Sequence, residues 1–167
     1  MTVDTLMSVE EYLKTSYSPD REYVDGVLVE LNVGDPLHSL VQGNIVFGLR
    51  RKYPEVKILP ELRSRVTPTR YRLPDVCVTL TFPRTKALLD APFLAVEILS
   101  EDDSMSRVIE KLKEYAAIGT PNIWVIDPRL RQMFTFQGNA LREVEGDVIA
   151  TENEPRLELT REEVFQE

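Results

Sequence analysis

Histidine and cysteine are nearly absent: His38 and Cys77 are the single representatives among 167 residues. One histidine excludes a polyhistidine zinc site, and with one cysteine it excludes a Cys/His finger as well. A lone thiol inside an apolar stretch also excludes a disulfide framework, so a reducing compartment is the default and Cys77 reads as a small core hydrophobe. No apolar run reaches the roughly 18 residues that a membrane span requires, and no charged-then-apolar leader opens the chain. These absences point to a soluble cytoplasmic protein with no membrane partner. Glycine is scarce at 7 residues, repeats are missing, and 43% of the residues are hydrophobic, so residues 1–167 read as one domain with a substantial core. Positive charge is also in deficit, since 20 Lys and Arg against 28 Asp and Glu leave a net charge of −8. That balance disfavours tight, nonspecific nucleic-acid binding driven by counterion release, without forbidding a local basic groove.

What is present centres on two short apolar runs, Leu73-Pro74-Asp75-Val76-Cys77-Val78 and Leu94-Ala95-Val96-Glu97-Ile98-Leu99, each with one carboxylate in its middle. Both read as strands buried in a sheet, where even a neutral polar group without a partner costs roughly 2 to 7 kcal/mol. An Asp and a Glu side by side on neighbouring strands would repel and raise one pKa unless a cation lay between them. Mg²⁺, which takes one or two carboxylates and keeps several waters, is the simplest such cation.

Along the chain, Ser8-Val9-Glu10-Glu11 has capping-box spacing and predicts a short helix over 9–15. Glu22 to Leu31 alternates about Asp25-Gly26, which predicts a hairpin with Tyr23, Val27, Val29 and Leu31 on its buried face. Asp35-Pro36 reads as an N-cap followed by a first-turn proline, opening a helix over about 36–52 with Leu37, Val41, Ile45, Gly48 and Leu49 inward. His38 falls in its first turn, where a protonated imidazole is disfavoured and anions are favoured. Extended segments at Val56–Leu59 and Leu62–Val66 flank Pro60-Glu61, and an even register would put Glu61 on the face of Asp75. The 82–91 connection is polar, with a short helix expected at Lys86–Leu89. Met105, Val108, Ile109, Leu112, Tyr115 and Ala116 form the stripe of a further helix, closed by Gly119 and Pro121. A buried strand at Ile123–Asp127 follows. Hairpin strands at 133–136 and 141–144 are joined through Gly138-Asn139, and Thr160-Arg161-Glu162-Glu163 opens a last helix. Phe134 and Phe136 suit either core or an interface. Arg63, Arg65, Arg70 and Arg72 bracket one hairpin, while Arg50, Arg51 and Lys52 end the 36–52 helix. Either cluster reads as solvated charge or as a basic groove.

Seven segments taken in order resemble a bacterial family of restriction-endonuclease type built on the PD-(D/E)xK nuclease fold. They are Tyr23–Glu30, Pro36-Leu37-His38, Pro74-Asp75-Val76, Val96–Ser100, Lys111–Ala116, Gly119-Thr120-Pro121 and Trp124–Pro128. The resemblance spans nearly the whole chain. It implies an α/β (α+β) fold with a restriction endonuclease-like mixed sheet flanked by helices, an N-terminal antiparallel hairpin and a C-terminal hairpin. Leu99 stands where the usual E-x-K pattern has lysine. In the family resembled, the following helix supplies it, at the position of Lys111; periodicity alone leaves Lys113 open.

The activity so implied is metal-dependent hydrolysis of DNA phosphodiester bonds, with Asp75 and Glu97 holding Mg²⁺ or Mn²⁺ and Lys111 orienting the attacking water. By resemblance, His38 contacts phosphate or a second metal, with Glu61 an outside candidate for the same role. Arg63, Arg65, Arg70 and Arg72 are candidate nucleic-acid contacts. The competing expectation is a non-catalytic homo-oligomeric binding or assembly protein, a homodimer in its simplest form, in which Lys111 only neutralises the buried acids.

Overall fold

The structure, a computed structural model, describes residues 6–32 and 34–167. Residues 1–5, the start of the stretch in which no leader is expected, lie outside it. In order, the elements are α1 (Val9–Lys14), β1 (Arg21–Val24), β2 (Val27–Glu30), α2 (Pro36–Lys52), β3 (Lys57–Pro60), β4 (Ser64–Thr67), β5 (Arg70–Arg72), β6 (Val76–Thr79) and β7 (Leu94–Ile98). There follow α3 (Met105–Ala117), β8 (Asn122–Asp127), β9 (Gln132–Gln137), β10 (Ala140–Glu143), β11 (Val148–Ala150), β12 (Glu158–Thr160) and α4 (Arg161–Phe165). None of the described helices is long and apolar enough to cross a membrane.

The central sheet runs β10-β9-β8-β7-β6-β3. Its β7–β8 pair is parallel and joined by α3, whereas its other pairs are antiparallel, so the sheet is mixed. Strand alternation divides the core in two. Leu94, Val96 and Ile98 of β7 pack with Val41, Ile45 and Leu49 of α2 and with Val164 and Phe165 of α4. Ala95 packs on the other face with Val108, Leu112 and Tyr115 of α3. Gly48 permits close approach on the first face, because a Cβ there would stand 2.8 Å from Leu159. Phe136 is buried in the α3-side core, which makes it core rather than interface.

A second sheet, β2-β1-β5-β4, is antiparallel and carries Tyr23 and Tyr71 onto Tyr12 of α1. β11 and β12 pair by themselves, and the capping box of Thr160 and Glu163 starts α4.

Several sequence expectations need correction. Tyr23 pairs with Leu28 across the two-residue turn, so Tyr23 and Leu28 share the buried face while Val27 is exposed. The alternation simply does not carry through a turn of that length. No helix forms at Lys86–Leu89: Leu88 instead bridges Ser64, with backbone bonds to Arg63 and Arg65 that keep the segment extended. The apolar stripe of α3 is narrower than its pattern, since Met105 and Ala116 are exposed. Leu37 is exposed as well, beyond the reach of the core.

Candidate functional site

The antiparallel register of β6 and β7 pairs Val76 with Val96, Cys77 with Ala95 and Val78 with Leu94. One further step sets Asp75 opposite Glu97, and strand alternation puts both on the face that Ala95 turns toward α3. A single cleft of about 320 Å³ is lined by both acids together with His38, Glu61, Ser100 and Lys111.

Asp75 is held from three directions. Its Oδ2 accepts from the Ile98 N–H at 2.7 Å, and its Oδ1 lies 3.1 Å from His38 Nε2. Its backbone carbonyl accepts from the Gln42 side chain at 2.9 Å. His38 and Gln42 lie one turn apart on α2, whose start is fixed by Asp35 accepting from the His38 N–H. The hydrogen bond to Asp75 raises the His38 pKa, against an opposing effect of burial.

Glu97 is buried, accepting from the Tyr115 hydroxyl at 2.5 Å on Oε1 and from Lys111 Nζ at 3.4 Å on Oε2. Burial pushes its carboxyl up to about 7; Lys111 opposes the shift, and the acids Asp75 and Glu22 add to it. Lys111 is also subject to burial, which disfavours its charge. The carboxylates of Glu97 and Glu22 outweigh that effect and hold its pKa above the ordinary lysine value. Lys111 and Tyr115 stand four residues apart on α3, so one turn delivers both groups to Glu97. Lys113 is exposed and is not among the residues that line the cleft, whereas Lys111 is.

The sequence reading missed Glu22. It is 1% exposed, and its Oε1 lies 2.9 Å from Lys111 Nζ and accepts from the Leu73 N–H at 3.1 Å. Its Oε2 lies 3.1 Å from Arg72. The available signal was positional: Glu22 precedes Tyr23 in a two-sided strand, so it faces the side opposite the tyrosine cluster. Glu61 sits exposed at the cleft rim, brought there by β3 pairing with β6 rather than by the segment after it. Its N–H donates to the Asp75 carbonyl at 3.4 Å.

The arginine cluster behaves differently from its expectation. Arg63 makes a two-point contact with Asp20 and donates to the carbonyls of Tyr12 and Thr15. Arg70 is taken up by Asp25, Glu110 and Glu114, and Arg72 by Glu22 and Glu114. Arg65 is exposed and reaches the Leu89 carbonyl at 3.4 Å. None of the four lines the cleft that holds Asp75. Arg63, Arg70 and Arg72 brace the smaller sheet against α1 and α3, because a guanidinium fork satisfies several acceptors at once.

Among the described residues, no group of three or more His, Cys, Asp and Glu side chains is spaced to hold a metal by itself. Two carboxylates facing one cleft nonetheless fit a hard divalent ion that keeps most of its waters, and oxygen donors suit Mg²⁺ or Mn²⁺. Burial is the main cause of the rise at Glu97, and the neighbouring acids Asp75 and Glu22 add to it; a cation in the cleft would offset that repulsion.

Residues 9–166 match the family described as "Uma2: Putative restriction endonuclease". The fold is shared with a crystal structure from Anabaena variabilis ATCC 29413, described as a "putative nuclease belonging to DUF820". The two are 22% identical, with a TM-score of 0.78, over 95% of this chain and 97% of that one. No curated protein matches the chain.

Proposed function

Since the chain belongs to the Uma2 family of restriction-endonuclease type, we propose that it hydrolyses DNA phosphodiester bonds, using Mg²⁺ or Mn²⁺ held by Asp75 and Glu97. The observation that carries this reading is the meeting of Asp75 and Glu97 in one cleft with the Lys111 ammonium on Glu97. A bound divalent ion supplies Lewis-acid polarisation of a phosphoryl oxygen and a lowered pKa for its water.

The chain's own groups do the rest. Lys111 stays charged beside Glu22 and Glu97, which suits it to orient a water and offset charge building on the phosphate rather than to remove a proton. Asp75 is kept in place at the cleft by the Ile98 N–H and His38, which suits it to hold a ligand without reorganisation. His38 is the candidate phosphate or second-metal contact, and Glu61 serves the same rim from β3. Tyr115 and Glu22 are positioning residues, acting through Glu97 and Lys111.

One observation favours a second reading, that of a non-catalytic homodimeric assembly protein: Lys111 already partners both Glu22 and Glu97 without any metal. Calorimetric titration of Mg²⁺ or Mn²⁺ into the wild type and Asp75→Asn separates the two. Heat lost in the variant supports the metal site, and identical traces leave the assembly reading. In assays on single-stranded, double-stranded and methylated DNA, metal-dependent cleavage is expected to vanish in Glu97→Ala. Undiminished cleavage by that variant contradicts the mechanism.

A further inference from the structure

With Arg63, Arg70 and Arg72 consumed by carboxylates and Arg65 exposed away from the cleft lining, another basic surface must meet a polyanion if the cleft is to receive one. Three grooves adjoin the cleft, and their charges differ. The groove toward α3 is lined by Glu22, Glu30, Glu97, Asp103 and Glu110 against Arg72, Arg107 and Lys111, an acidic surface that repels phosphate. In the groove toward α1, Arg63 is tied to Asp20 and Lys14 to Glu10, which leaves Lys86 as its one cation without an ion pair among the described residues, against two such arginines on α2. The third runs along the outer face of α2. It is lined by Val46, Phe47, Arg50 and Arg51 with Pro60 and Glu61, and it shares Ser39, Gln42 and Glu61 with the cleft.

The spacing of Ser39, Gly43, Val46, Phe47 and Arg50 is that of one helix face, continuous from the first turn beside His38 to the C-terminal turn. Gly43 leaves its middle open, since a Cβ there would meet nothing within 4 Å. Arg50 and Arg51 are exposed and make no ion pair or side-chain hydrogen bond among the described residues. Phe47 is 60% exposed between them and the cleft. An aromatic face left in water beside two free guanidinium groups, in a chain of net charge −8, is complementary to a nucleotide strand: phosphates for the cations and a base for the ring.

We propose that single-stranded DNA leaves the carboxylate cleft across Pro60-Glu61 and follows the outer face of α2, with a base stacked on Phe47 and phosphates on Arg50 and Arg51. A duplex closes its base faces in its own stack, so the exposed ring selects unpaired strand. This path rests on the reading of the cleft as a nuclease site, and it adds the substrate form and the surface that carries it.

Fluorescence anisotropy with a labelled oligothymidine and a blunt duplex, in chelator and across a salt series, tests it without requiring catalysis. Arg50→Ala combined with Arg51→Ala is expected to weaken oligothymidine binding by about tenfold and reduce the logarithmic salt slope by about 1.4, the value for two phosphate contacts on single strand. Phe47→Ala is expected to weaken oligothymidine binding by about tenfold while the duplex changes by less than about twofold. Arg142→Ala, an exposed cation on edge strand β10, is the control and should bind as the wild type does.

Wild-type affinity in both α2 variants overturns the proposal, as does a wild type that binds no oligonucleotide at all. Equal losses on single strand and duplex overturn the single-strand assignment. If Phe47→Ala instead converts a dimer to a monomer with oligothymidine affinity unchanged, the face belongs to a second copy and the proposal falls. A wild type that binds through α2 but never cleaves with Mg²⁺ or Mn²⁺ supports the strand path and removes the nuclease reading. A wild type that cleaves, with α2 variants that bind and cleave alike, does the reverse.

Discussion

Arg72, buried, and Lys111, half-buried at the cleft, are cations on opposite oxygens of the same carboxylate, Glu22, yet their surroundings differ in kind. Arg72 closes on its acids: Nε and one terminal nitrogen meet the two oxygens of Glu114 at 2.6 and 3.0 Å, and the other meets Glu22 at 3.1 Å. Lys111 has a close contact to Glu22 at 2.9 Å but only a longer one, 3.4 Å, to Glu97, which faces the cleft beside Asp75. A planar fork with each edge matched is a brace between β5, β1 and α3. An ammonium serving more acid than it can neutralise leaves a residual negative field, and a cation entering the cleft is attracted to it. Closure thus marks the structural pair, and the unfilled demand marks the candidate functional one.

The strongest way to break that comparison is to remove each cation. Arg72→Met takes from Glu22 and Glu114 the cation they share, leaving them Lys111 and Arg70, and is expected to cost about 3 kcal/mol in urea unfolding, with added Mg²⁺ giving nothing back. Lys111→Met is expected to cost about 1 to 3 kcal/mol, because Glu97 can answer the loss by holding a proton. Mg²⁺ or Mn²⁺ should recover part of that loss as a rise in Tm, while cleavage drops by at least about a hundredfold. Equal stability losses with no response to metal in either variant would erase the distinction.

How much of this could be read from residue order depends on how local each signal is. Asp75 and Glu97 stand out because each interrupts an apolar strand, and their meeting follows from one antiparallel register. The N-cap at Asp35, Gly119 and the Thr160 box fix helix ends within a few residues, which is why α2 spans the expected 36–52. Glu22 and the arginines were opaque for the opposite reason. Their partners lie far along the chain, 40 residues from Arg70 to Glu110 and 51 from Glu22 to Leu73, reached only when β5 adds to β1 and α3 docks over both. In a short hairpin, charges destined for burial look the same as charges destined for water.

The pH dependence sharpens the comparison at intermediate size. Glu97, raised to about 7, must ionise to hold a metal, so cleavage is expected to climb as pH rises through about 7. Raising the Mg²⁺ concentration should move that midpoint down, since metal and proton compete. Stability runs the other way. A carboxyl with a raised folded pKa contributes its full share below the ordinary carboxylate range and loses it as pH rises to about 7, so the wild type should weaken relative to Glu97→Gln over that window. Glu22→Gln should move the midpoint of the cleavage profile to lower pH, because Glu22 is one of the charges that lift Glu97. A profile that is flat from about pH 5 to 8 would sink the assignment of Glu97 as the titrating ligand.

Tyr115 gives the smallest and most discriminating effect. Its hydroxyl donates to Glu97 Oε1 and favours the ionised carboxylate, against the burial and acid neighbours that oppose it. Tyr115→Phe keeps the ring that packs with Val108 and Leu112, so unfolding should change by only about 1 kcal/mol. Cleavage at about pH 8.5, where Glu97 is ionised in either protein, should stay within about threefold, whereas the acid limb should move to higher pH. That displacement is opposite in sign to the one from Glu22→Gln. A residue that merely filled space would move neither limb, so the pair of opposite displacements tests whether Glu97 is poised by its neighbours rather than simply buried among them.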